Sequence, residues 1–146
     1  MKRLMAVTVL VGATSLGVLA AAELGKGAVV VDSAKAAYKE VIPGVSRAVL
    51  RGDPDKGEYA AFTRFAPGTT NTLHMHTNDI RVVVLQGAYI YQPEKGPERR
   101  VAAGQFIFIP GGDRHISRGD PRDGALFYEE GAGRFDIHFI KQTASR

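Results

Sequence analysis

Residues 68–87, GTTNTLHMHTNDIRVVVLQG, decide how this chain is read. Their centre, Thr72-Leu73-His74-Met75-His76, sets two histidines two residues apart in an apolar run. The polar cluster Thr77-Asn78-Asp79 separates that run from a second one at 80–85. Side chains on a strand alternate faces, so His74 and His76 project to one side, with Thr72 expected beside them and Leu73 and Met75 opposite. Two imidazoles on one face can ligate a single ion, and a neighbouring strand must then supply the next ligand. Residues 104–115, GQFIFIPGGDRH, offer it: an aromatic apolar run, a Pro110-Gly111-Gly112 turn, and His115. Glycine accepts positive φ without steric cost, which suits that turn. Neutral imidazole suits Zn, Cu, Fe and Ni, so His74, His76 and His115 together point to a transition metal rather than Ca or Mg.

Outward from these segments the chain breaks into short apolar or alternating runs separated by turn residues, the pattern of an all-β domain. Nine strands are expected, at 45–50, 59–66, 72–76, 80–85, 88–91, 99–102, 106–109, 125–129 and 135–140. Gln86-Gly87 is expected to turn the chain, and 93–97 to form a hairpin tip. Only 33–40 has a helix-like composition. Nothing is long enough for helical crossovers, which excludes a parallel α/β sheet and leaves one antiparallel sandwich or barrel. Tyr89 with Tyr91, and Phe106 with Phe108, share faces and are expected to fill the interior. Arg64, Arg81 and Arg114 are expected to be solvated or paired; an inward-pointing arginine would favour an anionic substrate. His138 shares its strand face with Asp136 and Ile140 and is read as structural or exposed rather than as a ligand.

The first 22 residues have the layout of a secretory signal peptide: Lys2 and Arg3, an apolar run at 4–19, and the small residues Ala20-Ala21-Ala22 before Glu23. The competing reading is a membrane anchor, but Gly12, Thr14, Ser15 and Gly17 interrupt a run already near the lower limit for spanning. Cleavage leaves 124 residues and lowers the net charge from +4 to +2. The expected location is the periplasm or the exterior, without membrane attachment. No basic run stands out beyond Arg99-Arg100, and basic residues do not interleave with aromatics, so nucleic acid is not an expected partner. The chain has no cysteine, hence no disulfide framework, and its stability rests on its core, helped by a bound metal or a partner subunit.

The two histidine segments together resemble the paired motifs of the cupin superfamily. Gly68, His74, His76 and Gly87 fall on the first motif, and Gly104, Pro110, Gly112 and His115 on the second. The flanks Pro43-Gly44-Val45, Leu50-Arg51-Gly52-Asp53-Pro54 and Gly131-Ala132-Gly133-Arg134-Phe135 are similar to those of a group of small exported cupins of unknown function. The resemblance covers roughly 43–140, giving a signal peptide at 1–22, an N-terminal extension at 23–42, a barrel at 43–140 and a tail at 141–146. It implies a double-stranded β-helix of the jelly-roll type with a divalent Fe, Zn, Mn or Ni inside, a small-molecule ligand, and a homodimer.

Two positions depart from the pattern. The family's usual glutamate ligand, four residues after the second histidine, is Ile80 here, and strand parity turns Asp79 and Arg81 away from its face. Gly119 stands where the second motif usually ends in asparagine. Three histidines plus solvent is nevertheless a catalytic zinc arrangement, and some cupin dioxygenases use three histidines. The expected function is therefore a dioxygenase- or hydrolase-type metalloenzyme with His74, His76 and His115 as ligands. The alternative is a non-catalytic small-ligand binding or sensing module, metal-free for want of the glutamate. No catalytic acid or base is evident; Glu129 and Glu130, beside Tyr128, are the nearest acidic residues, with their direction open.

Overall fold

The computed structural model describes residues 27–141, so the segment read as a signal peptide and positions 142–146 of the tail lie outside the described residues. Ten strands and no α-helix are found among them: β1 (Lys39–Ile42), β2 (Val45–Gly52), β3 (Tyr59–Phe65), β4 (Thr70–Met75), β5 (Ile80–Pro93), β6 (Arg99–Ala102), β7 (Phe106–Ile109), β8 (His115–Gly119), β9 (Ala125–Gly131) and β10 (His138–Phe139). All pairings are antiparallel, in the order β1-β2-β3-β9-β5-β8-β4-β10, with β6 and β7 also on β5. No described helix is long and apolar enough to cross a membrane.

β5 is the spine. Its first half pairs with β9 and β7, and its second half with β8 and β6. Gln86-Gly87 was expected to reverse the chain, but it bends one continuous 14-residue strand instead. The register against β9 shifts between Val84 and Gln86, and Gly87 takes a φ of +66°. An extra residue in a ladder bends the strand and increases its twist, which carries β5 from one curled sheet into the other. The result is the jelly-roll, double-stranded β-helix that the sequence implied.

Alternation decides what faces inward. On β3, Tyr59, Ala61, Thr63 and Phe65 are buried and the residues between them half-buried; Ile80, Val82 and Val84 repeat this on β5. Phe127 packs edge-on against Phe65 and Tyr89, with ring centroids 5.1 and 5.4 Å away. Each such pair adds about 0.5–1.5 kcal/mol beyond burial alone.

Three expectations need correction. Phe106 and Phe108 do not fill the interior; they are 60% and 47% exposed. They lie opposite Val83 and Arg81 on the outer face of β5, and the Arg81 guanidinium sits 5.7 Å from the Phe108 ring. Parity outweighs hydrophobicity here, because the inward positions of β7 belong to Ile107 and Ile109. Residues 33–40 form a turn leading into β1 rather than a helix. That segment is tied to β3 by Arg64, which lies 3.7 Å from the Tyr38 ring and donates to the Ser33 carbonyl at 3.1 Å. Finally, β8 was not anticipated, since HISRG carries little apolar signal.

Gly68 and Gly87 both have φ near +70°, at +71° and +66°. A Cβ on Gly68 meets nothing within 4 Å, whereas one on Gly87 would lie 2.2 Å from the Gly124 carbonyl oxygen. Gly68→Ala is expected to cost about 1–2 kcal/mol in urea unfolding, the left-handed penalty alone. Gly87→Ala is expected to cost clearly more, and equal losses would contradict the close approach at the bend.

Candidate metal centre

β4 and β8 bring the histidines together. They pair Thr70 with Arg118 and Asn71 with Ser117, then slip register so that His74 faces His115 directly. The slip corrects the expected face of Thr72: it is exposed, and Asn71 turns inward instead, its Nδ2 donating to Ser117 Oγ at 3.2 Å. His76 follows the end of β4. Ring centroids are 4.3 Å apart for His74 and His115, 5.0 Å for His74 and His76, and 5.5 Å for His76 and His115. One ring nitrogen from each lies within 4.8 Å of the other two.

Each ring is held by the same device. Nδ1–H of His74 donates to the Thr72 carbonyl at 2.7 Å, that of His76 to the Asp136 carbonyl at 2.5 Å, and that of His115 to the Asp113 carbonyl at 3.1 Å. A neutral imidazole that donates from Nδ1 keeps its lone pair on Nε2. Burial, reinforced by the neighbouring His115, pushes His74 down to about 4; burial likewise lowers His76 and His115. All three are therefore neutral at pH 7. His115 Nε2 is buried and has no hydrogen-bond partner among the described residues. An acceptor buried without a partner costs on the order of 1–3 kcal/mol, and an electrophile between the rings removes that cost. Three neutral nitrogen donors with fixed tautomers fit a divalent transition metal.

His138 is not part of this group. It is half-exposed, and its Nε2 lies 3.1 Å from Asp136 Oδ2. Ile80 is buried and lines the cavity with His74 and His76, so the wall offers a methyl-bearing side chain where a fourth, anionic ligand would stand. Both nearby aspartates have partners: Asp113 Oδ2 accepts from Tyr91 OH at 2.6 Å and lies 3.3 Å from His115 Nδ1, and Asp136 Oδ1 accepts from the Thr77 amide at 2.8 Å.

His74 and His76 open on a cavity of about 600 Å³ inside the barrel, also lined by Arg47, Thr63, Phe127 and Glu129. Glu129 points inward and is 4% exposed, while Glu130 points outward and accepts from Tyr128 OH at 2.6 Å. Arg47 went unnoticed in the sequence, although Val45-Arg47-Val49 alternation places it on the inner face of β2. Its Nε lies 2.8 Å from Glu129 Oε1 in an ion pair with both side chains nearly fully buried. Arg64 and Arg114 are on the outside, Arg114 paired with Glu94 at 2.8 Å.

A curled antiparallel barrel with an inward histidine triad and a small internal cavity is the architecture of a cupin. The ChrR cupin-like domain family matches residues 26–132, and the chain belongs to that family. No curated protein matches significantly. Among solved structures, KdgF from Halomonas sp. is similar at 25% identity and a TM-score of 0.55, over 68% of this chain and 90% of that one. The polyketide cyclase RemF from Streptomyces resistomycificus is similar at 18% identity and a TM-score of 0.66, over 81% of this chain and 89% of that one. DMSP lyase DddQ from Ruegeria pomeroyi is similar at 21% identity and a TM-score of 0.55, over 68% of this chain and 57% of that one. At these identities the last two show the fold alone.

Ile80→Glu places a carboxylate beside three neutral imidazoles. Zinc affinity, measured by competition with a chromophoric chelator, is expected to rise roughly tenfold or more, about 1.4 kcal/mol. An unchanged affinity would show that position 80 does not face the centre.

Proposed function

We propose that this chain is a metal-dependent small-molecule cupin that holds one divalent transition metal, from among Fe, Zn, Mn and Ni, on His74, His76 and His115. The observation that carries the reading is the buried, partnerless Nε2 of His115 beside two further imidazoles whose Nδ1 atoms are all committed to main-chain oxygens. With three protein ligands, such a metal keeps a position for water or substrate and supplies Lewis acidity, polarising a substrate oxygen or activating water or dioxygen. The chain's own contribution is to fix the three ring planes, set the apolar side chains of Ile80, Phe127 and Phe135 around the site, and shape a cavity of about 600 Å³ for a small organic molecule.

A second reading, ligand binding or sensing without turnover, is favoured by one observation. The carboxylates facing the cavity from Glu129 and Asp136 are engaged by Arg47, and by Thr77 and His138, which leaves the exposed Asp55 as the remaining carboxylate of the lining. Screening the metal-loaded protein for oxygen consumption and hydrolysis separates the two readings, since saturable ligand binding without turnover favours the module.

Protein purified without chelator is expected to retain close to one metal equivalent per chain by mass spectrometry of the elements. His76→Ala is expected to retain less than a tenth of the wild-type content, roughly 1.4 kcal/mol or more of lost affinity. Wild-type metal content in that variant would overturn the ligand assignment.

Two further parts of the reading rest on other observations. The layout of residues 1–22 supports export to the periplasm or beyond, tested by whether the mature N-terminus is Glu23. The outer sheet face carries Phe62, Tyr128, Val83, Phe106 and Phe108 on adjoining strands, which supports a homodimer formed through that face. Sedimentation is expected to give twice the chain mass for wild type and a monomer for Phe106→Asp; a monomeric wild type contradicts it.

A further inference from the structure

Arg47 is an unusual residue to find inside this barrel. Its side chain is 6% exposed, yet only its Nε is committed to protein oxygens: it lies 2.8 Å from Glu129 Oε1 and donates to Thr63 Oγ1 at 3.4 Å. Despite the short distance, the Nε–H does not point at Glu129 Oε1, which is left without a hydrogen bond. The guanidinium carbon stacks 4.0 Å from the Phe135 ring centroid and 5.3 Å from that of Tyr59. Neither Nη1 nor Nη2 donates to any acceptor among the described residues. Arg47 lines the same cavity as His74 and His76, and Phe135 touches both ends, with its ring 5.4 Å from that of His76.

A guanidinium is charged at every accessible pH, and its planar fork matches a carboxylate with two parallel hydrogen bonds. Here the fork is held rigid by two aromatic rings and by an anchor at Nε, so little side-chain freedom is lost when a ligand binds. The lining sets Arg47 and Lys39 against Glu129, Asp136 and Asp55, so recognition of an anion rests on the local Nη edge of Arg47 rather than on the net charge of the cavity. Ile80 removes the negative ligand usual at the histidine centre, and Asp136 is already engaged by Thr77 and His138. Lys39 and Asp55 add one charge of each sign to the lining. The remaining walls, from Phe65, Val82 and Phe127, are apolar and suit a hydrocarbon or aromatic body.

We propose that the cavity recognises a small organic carboxylate through the Nη edge of Arg47, with Glu129 and Thr63 acting as positioning residues that hold the fork toward the cavity. This deepens the reading of the barrel as a small-molecule site, but it does not depend on a metal being present.

Benzoate and its uncharged isostere benzamide are the probes, titrated calorimetrically into the full mature chain, once with EDTA present and once after zinc loading. Wild type is expected to bind benzoate about tenfold or more tightly than benzamide in both states. Removing one partner of the pair alone leaves a buried charge and endangers folding, so the decisive variant is Arg47→Met combined with Glu129→Gln, which removes both charges at similar volume. It is expected to bind the two probes equally while its zinc stoichiometry stays that of wild type. Arg47→Lys, which keeps the charge but loses the fork, is expected to retain a reduced preference. Equal affinities in wild type, no saturable benzoate binding, or an undiminished preference in the double variant would overturn the proposal. A benzoate preference in a protein that retains no metal would support it and count against the metal reading alone.

Discussion

The structure depends on one constraint: three imidazoles placed inside a barrel wall must each give up Nδ1–H to a main-chain oxygen. Those oxygens come from separate parts of the chain. Thr72 is turned to its role by the register slip on β4, Asp113 lies in the turn that precedes β8, and Asp136 lies between β9 and β10. The surrounding backbone is knitted to keep them there. The Gly112 amide donates to the His76 carbonyl at 2.8 Å, and the Ala132 amide to the Asp79 carbonyl at 3.0 Å. A Cβ on Gly111 would sit 2.3 Å from the Thr77 carbonyl oxygen, so glycine there is required by the closeness of two chain segments. Backbone groups seldom remain unpaired in an interior, and here their pairing also fixes the histidine tautomers.

The interior is otherwise organised around charge. Three neutral rings, a buried Arg47–Glu129 pair and the apolar side chain of Ile80 define the interior, and among the described residues no carboxylate joins the three-histidine cluster. Burial that holds His74 down to about 4 is the same effect that keeps its lone pair available at neutral pH. Ordinary cupin architecture is thus retained around a neutral histidine centre, with the Arg47 charge balanced by Glu129.

Much of this was legible in the residues, and what was not has physical reasons. The short alternating runs pointed to an antiparallel sandwich or barrel because strand parity leaves local marks, and the histidine and glycine positions narrowed it through their resemblance to the cupin motifs. β8 escaped notice because its inward residues are His115 and Ser117, polar groups held by the Asp113 carbonyl and by Asn71 rather than packed as a core. The face of Thr72 was misjudged because a register slip between paired strands cannot be seen in one strand alone. Phe106 and Phe108 were assigned inward on hydrophobicity, although parity on β7 gives the interior to Ile107 and Ile109. Arg47 and Glu129 find each other across β2, β3 and β9, and no local pattern records a pair formed by sheet order.

The central claim is that three imidazoles, and no carboxylate of this chain, form the metal centre. X-ray absorption at the metal edge of the purified, metal-loaded protein tests it most directly. The account predicts first-shell scattering from three nitrogen donors, with the outer-shell signature of three imidazole rings and the remaining light-atom scattering lost or altered when an exogenous ligand is added. A shell with one or two imidazoles, or one unaffected by changing His115 to alanine, would contradict it.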